Sequence, residues 1–132
     1  MTEKFFVYGT LKVGGHFANQ FDHVRTSSVK ATLKNMDLFN LGWFPTIKPG
    51  KGKVVGEVHE YVDPKRILAI FDQIEGFNPK NPDAGLYVRN EHDVVLETGE
   101  TVKAIAYTFR QDVPAEAEKI EDGVWKLEGA RA

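Results

Sequence analysis

Apolar residues recur along this chain with two spacings, and the switches between them mark its elements. Residues 4–8 are aromatic or β-branched and stop at Gly9, the pattern of a short, fully buried strand. A glycine-rich loop follows over 9–15. Phe17, Phe21 and Val24 then recur at helical spacing and predict a short helix over 15–25. Val29, Ala31 and Leu33 alternate with polar residues as a half-buried strand does, and residues 36–41 continue it less regularly. Gly42-Trp43-Phe44-Pro45 ends that strand, because proline has no N–H for a ladder. Pro49-Gly50-Lys51-Gly52 predicts a turn, and residues 53–62 the next strand.

The clearest helix comes next. Asp63 stands at the capping position and Pro64 at the first helical position, where its missing N–H has no partner to lose. Ile67, Leu68, Phe71 and Ile74 form one apolar face, and Gly76 is placed to stop the helix. Residues 78–85 carry two prolines and read as a loop. Residues 86–96 and 101–109 predict a hairpin across Glu97-Thr98-Gly99-Glu100. A short helix over 113–121, a turn at Asp122-Gly123 and a last short strand over 124–127 complete the expectation. Strands and helices do not alternate regularly, so the fold class is α+β: a small mixed, mainly antiparallel sheet with two or three short flanking helices. Sheet twist would curl such strands into a barrel.

Composition narrows the picture. At 132 residues, 42% hydrophobic and with nine Phe, the chain is expected to form a single domain over 1–132 whose core needs no staple. Seventeen Lys and Arg face nineteen Asp and Glu, so no net field draws nucleic acid or an anionic membrane. The absence of cysteine removes disulfides, thiolate ligands and a Cys nucleophile together. The amino terminus does not read as a leader, and no apolar run approaches the ~20 residues that span a bilayer. The expected location is cytoplasmic.

Several familiar chemistries fail on single positions. Gly9 and Gly14 have the spacing of a phosphate loop, but Gly15 and His16 stand where Lys and Ser or Thr are required. His16, His23, His59 and His92 include no i, i+4 pair, and His59-Glu60 is followed by Asp63 where a zinc site needs its second histidine. These histidines read as solvated. No G-x-S-x-G is present for a serine nucleophile. Glu57 and Glu60 fall on opposite faces of a strand and read as surface charge.

One carboxylate is unusual by position. Glu75 ends the capped helix, where the helix dipole disfavours an anion by about 0.3–1 kcal/mol. Partial burial there would raise its pKa toward the range of a residue that accepts and returns a proton. On position alone, a solvated helix end is the competing reading.

Taken in order, these segments resemble a known family. Phe6-Val7-Tyr8-Gly9-Thr10-Leu11-Lys12 is similar to the opening signature of gamma-glutamylcyclotransferase-like (AIG2-like) proteins. Phe44-Pro45, Val55-Gly56-Glu57-Val58, Phe71-Asp72-Gln73-Ile74-Glu75-Gly76, Tyr87-Val88-Arg89, 104–107 and 120–125 match its later elements over nearly the whole chain. Val124 stands where the family usually has Asp, and the loop 77–85 is longer than its pattern.

The resemblance implies the gamma-glutamylcyclotransferase-like fold and an enzyme that needs no cofactor or metal. It implies conversion of a gamma-glutamyl amine or gamma-glutamyl amino acid into 5-oxoproline and a free amine. It further implies Glu75 as the catalytic proton carrier and substrate held through the backbone of Tyr8, Gly9, Thr10 and Leu11. Lys12 would either attract the α-carboxylate or point to water, and Phe44, Pro45, Tyr87 and Tyr107 would either shape the pocket or belong to the core. Gly14-Gly15-His16 looks most like the branch acting on gamma-glutamylamines. Two alternatives stay open: a non-catalytic module binding a small ligand or partner, and a related acyl-transfer or lyase step on gamma-glutamyl adducts. The leaving amine and the oligomeric state are left open.

Overall fold

The computed structural model describes residues 3–15, 18–42 and 44–126. Strands run over β1 (Phe5–Val7), β2 (Arg25–Asn40), β3 (Pro45–Tyr61), β4 (Tyr87–Leu96), β5 (Thr101–Phe109) and β6 (Glu118–Ile120). The α-helix α1 spans Pro64–Glu75 between β3 and β4. The sheet order is β3-β1-β5-β4-β2-β6, and a further pairing of β3 with β2 closes it into a barrel. Only β1 and β5 pair in parallel; the other neighbours are antiparallel. This is the expected mixed, mainly antiparallel barrel-like sheet. Among the described residues no helix is long and apolar enough to cross a membrane.

Strand β1 is the centre of the packing because both of its faces are covered. Phe6 and Tyr8 point into one cluster with Leu33, Leu38, Ile47, Val54, Val58 and Trp125. Phe5 and Val7 point into a second cluster with Phe21, Tyr61, Ile67 and Phe71, where α1 meets the sheet. The ring of Phe71 lies edge-on to Phe5 at 5.1 Å, to Phe21 at 5.0 Å and to Tyr61 at 5.5 Å. Such edge contacts add to the area that the rings bury and fix the helix on the sheet.

Four local expectations are corrected by long-range pairing. The segment 15–25 holds no α-helix in its described part, only a 3-10 turn at Asn19–Phe21; Phe17 lies outside the described residues. Pro49-Gly50-Lys51-Gly52 does not reverse the chain. Lys34 pairs with Lys53 and Met36 with Pro49, so the extra residues bulge out of one continuous strand pair. Asn35 takes a positive φ of 62° at that bulge, and the Asp37 carboxylate accepts the Gly52 N–H at 2.9 Å. The helix expected over 113–121 is instead strand β6, paired to Leu38, Phe39 and Asn40 of β2. The strand expected over 124–127 is absent from its described part, 124–126. Asp63 does occupy the capping position of α1 but with φ 53° and no side-chain capping bond. The described flanking helices are therefore one α-helix and one 3-10 turn.

Gly56 permits the β1–β3 contact on which both clusters rest. A Cβ there would lie 2.3 Å from the Val7 carbonyl oxygen and 3.0 Å from the Phe6 ring. Strand β1 has only three paired residues and little capacity to shift. Gly56→Ala should destabilise the fold by about 2 kcal/mol, read from the midpoint of urea unfolding, whereas Gly99→Ala at the open hairpin turn carries strain but no clash.

Candidate active site

The helix α1 carries two carboxylates one turn apart, and their surroundings differ completely. Asp72 is buried and fully partnered. It accepts from Tyr107 Oη at 2.6 Å and from Arg89 Nη1 at 2.9 Å and 3.2 Å. Glu75, three residues on, is the last residue of the helix before Gly76, whose φ of 71° turns the chain away. It shares the helix face of Phe71 and projects into a cavity of about 230 Å³. Among the described residues no hydrogen bond joins its carboxyl to a partner, and no Lys, Arg or His lines the cavity.

Burial without a cation pushes the Glu75 pKa from 4.5 up to about 7. The sequence offered two causes for such a rise, the helix end and burial; here burial is the one that acts. Three tyrosines face the same cavity but give their protons elsewhere. Tyr8 donates to the Tyr107 carbonyl at 2.5 Å, Tyr87 to the Pro45 carbonyl at 2.8 Å, and Tyr107 to Asp72. Burial raises all three phenol pKa values, with the nearby Glu75 carboxylate adding to each, so they stay neutral.

The glycine loop that leaves β1 lines the same cavity. Tyr8, Gly9, Thr10 and Leu11 all line the cavity. Gly9 lies against Pro45, whose Cγ would be 2.9 Å from an added Cβ, so only glycine fits without a shift. The loop turns back on itself through Lys12 N–H to the Gly9 carbonyl at 3.1 Å and Gly15 N–H to the Lys12 carbonyl at 2.7 Å. Among the described residues the main-chain N–H groups of Gly9, Thr10 and Leu11 have no acceptor. Unpaired N–H groups on a cavity wall are suited to an oxyanion or a carboxylate.

The structure thus brings Tyr8, Gly9, Thr10, Leu11, Phe44, Pro45, Glu75, Tyr87 and Tyr107 to one cavity. Lys12 is not among them. Its ammonium donates to the Trp125 carbonyl at 2.7 Å and lines a separate depression with Glu57 and Lys30. Its expected attraction for the α-carboxylate therefore has no geometric basis. His16 and Trp43 lie outside the described residues.

Two groups of supporting contacts were not found by reading the sequence. Asp72, Arg89 and Tyr107 lock α1 to β4 and β5 beside the cavity; the i, i+3 spacing of Asp72 and Glu75 was the available signal. Glu57, His59 and Tyr61 occupy alternate positions of β3. Far from being plain surface charge, Glu57 accepts from Val13 N–H at 2.9 Å and contacts His59 Nε2 at 2.8 Å. Burial works against the Glu57 carboxylate, but these contacts and the Lys12 charge hold its pKa below the ordinary value. His59 is fully buried, not solvated, with Nδ1 2.8 Å from Tyr61 Oη. Together they anchor the glycine loop from behind. Among the described residues no three His, Asp or Glu side chains converge as a metal site requires.

Comparison with known proteins places this geometry in a group. Residues 5–127 match the family described as gamma-glutamyl cyclotransferase, AIG2-like. The chain is similar to YtfP of Escherichia coli, at 26% identity and TM-score 0.65 over 92% of this chain and 95% of that one. It is similar to an AIG2-like protein of Mus musculus, at 27% identity and TM-score 0.64 over 86% and 80%. It shares its fold with YkqA of Bacillus subtilis, at 24% identity and TM-score 0.69 over 95% of this chain, but spans only 40% of that protein. A search of curated proteins found no match.

The raised pKa makes a prediction that needs no substrate. The folded protein holds the Glu75 proton more tightly than the unfolded chain does. That contribution is complete below pH 4.5 and is lost as pH rises through about 7. The wild type should lose on the order of 2 kcal/mol of stability across this window, and Glu75→Gln should not; urea unfolding of both proteins at several pH values reads the difference.

Proposed function

The chain belongs to the AIG2-like gamma-glutamyl cyclotransferase family, and from that premise we propose that it converts a gamma-glutamyl amide into 5-oxoproline and a free amine at the Glu75 cavity. The observation that carries this reading is that one cavity of about 230 Å³ is lined both by a carboxyl without a hydrogen-bond partner and by a loop whose N–H groups lack acceptors, each among the described residues. The family includes enzymes, and the residues at this cavity suit the chemistry that its name denotes.

The reaction asks little of the protein. The substrate α-amine attacks the substrate's own γ-carbonyl carbon, a five-membered lactam closes, and the C–N bond of the amide breaks. Holding the two ends together is worth about 7–11 kcal/mol when their alignment is kept. Of the three hydrogens on the α-ammonium, one stays on the lactam nitrogen. The other two end on the departing nitrogen, which leaves as an ammonium at neutral pH.

Glu75 is suited to move one of these protons. As a carboxylate it takes a proton from the α-ammonium and frees the lone pair. As a carboxylic acid it gives a proton to the departing nitrogen. A pKa near 7 lets both forms exist at neutral pH, and efficiency is greatest when a catalytic pKa lies near the working pH. The N–H groups of Gly9, Thr10 and Leu11 would receive the α-carboxylate and the negative charge on the carbonyl oxygen. Glu57, through Val13, and Pro45, against Gly9, hold that loop in place before substrate arrives.

Replacing Glu75 by Gln keeps the shape and removes the proton transfer. Release of 5-oxoproline from gamma-glutamyl amides should fall by about 10²–10⁴-fold in the folded variant. Full retention of turnover would refute the assigned role. Binding of such amides by the wild type without amine release would favour a non-catalytic module.

A further inference from the structure

The floor and the mouth of the cavity differ. The floor is buried aromatic surface from Phe5 and Phe71, while the mouth is walled by Phe44 and Leu86, which are 37% and 62% exposed. A lone exposed apolar side chain needs no explanation, but two on one cavity mouth form a patch.

Both are held in place by main-chain bonds. Leu41 N–H donates to the Phe44 carbonyl at 2.9 Å, and the neighbouring Pro45 carbonyl accepts from Tyr87 Oη at 2.8 Å. The Phe44 ring lies 6.1 Å from the Tyr87 ring. Across the mouth, Leu86 N–H donates to the Gly76 carbonyl at 3.1 Å, and the Leu86 carbonyl accepts from Arg110 N–H at 2.8 Å. Arg110 Nε donates to the Gly85 carbonyl at 2.7 Å.

The charges near the cavity are engaged elsewhere. Lys48 Nζ donates to the Phe109 carbonyl, Arg89 pairs with Asp72, and Lys12 is tied to Trp125. Among the described lining residues the one carboxyl side chain is Glu75. A cationic substituent would therefore find only Glu75 in the described lining, which is occupied by the reacting nitrogens, while an anionic one would meet Arg110, bound to Gly85 at the rim.

We infer that the departing amine carries an apolar alkyl group, held between Phe44 and Leu86 at the mouth of the cavity. The inference rests on the cyclisation reading. The ring-forming atoms must reach both Glu75 and the N–H groups of Gly9, Thr10 and Leu11, which leaves the substituent on the departing nitrogen to run out through the open side. Phe44 and Leu86 are then specificity-determining residues for that substituent.

The test is a series of gamma-glutamyl n-alkylamides from methyl to pentyl, whose amines have nearly equal basicity, so the series varies apolar area alone. The 4-aminobutylamide serves as the charged counterpart of the longer members. Initial rates of 5-oxoproline release by the purified protein give kcat/KM. The expected result is a rise of roughly two- to fourfold per methylene, with the 4-aminobutylamide at least tenfold below pentyl. Leu86→Ala, exposed enough to fold normally by circular dichroism, should lower the pentyl-to-methyl ratio by about fivefold. Equal or better turnover of a charged amide, or an unchanged ratio in Leu86→Ala, overturns the inference and leaves cyclisation standing. Absence of 5-oxoproline from every member overturns the cyclisation reading, and this inference with it.

Discussion

A carboxyl group sunk in an apolar cavity with no cation to balance it is the constraint around which this molecule is arranged. Desolvating a carboxylate is costly, and the fold answers by letting Glu75 keep its proton into the neutral range. The contrast with Asp72 on the same helix shows that this is a property of place. Asp72 receives two donors and an Arg charge; Glu75, one turn later, receives none. The helix is fixed by Phe71 among Phe5, Phe21 and Tyr61, and by the Asp72–Arg89 pair, which holds the Glu75 side chain at the cavity wall. Packing energy from the apolar cluster offsets the cost of the isolated acid.

The second wall is organised by different means. A glycine loop has no side chains to hold it, and its shape is imposed from outside. Pro45 presses against Gly9, while Glu57 takes the Val13 N–H and is itself contacted by His59. These supports come from β3, the strand that also pairs with β1, so loop and strand share one support. Preorganised N–H groups of this kind cost nothing to align when charge develops in front of them.

What could be read in the sequence was whatever a short window specifies. The buried strand at Phe5, the helix from Pro64 to Gly76 and the β4–β5 hairpin each carry their own period and stop signals. The β2–β3 ladder did not read correctly, because Pro49-Gly50 has the chemistry of a turn and only pairing with a distant strand keeps it extended. The segment 113–121 failed for the same reason: β6 exists only because β2 offers it an edge. At the cavity, the meeting of Glu75 with the loop from Gly9 was suggested by family resemblance and not by any local pattern. Glu57 and His59 were misread because period-2 alternation tells which face a residue takes, not what lies against that face. Lys12 stayed undecided between substrate and water because a charged side chain beside a glycine loop looks available until Trp125 is seen to take it.

The titration of one carboxyl decides the central point. Carbon-13 NMR of the Glu side-chain carboxyl carbons, followed across pH 3 to 9 with Glu75→Gln to assign the resonance, reads the Glu75 pKa directly. A midpoint of about 7 is what an uncompensated carboxyl in this cavity requires. A midpoint near 4.5 would mean that water or a cation reaches the group, and the cavity would not be the environment described.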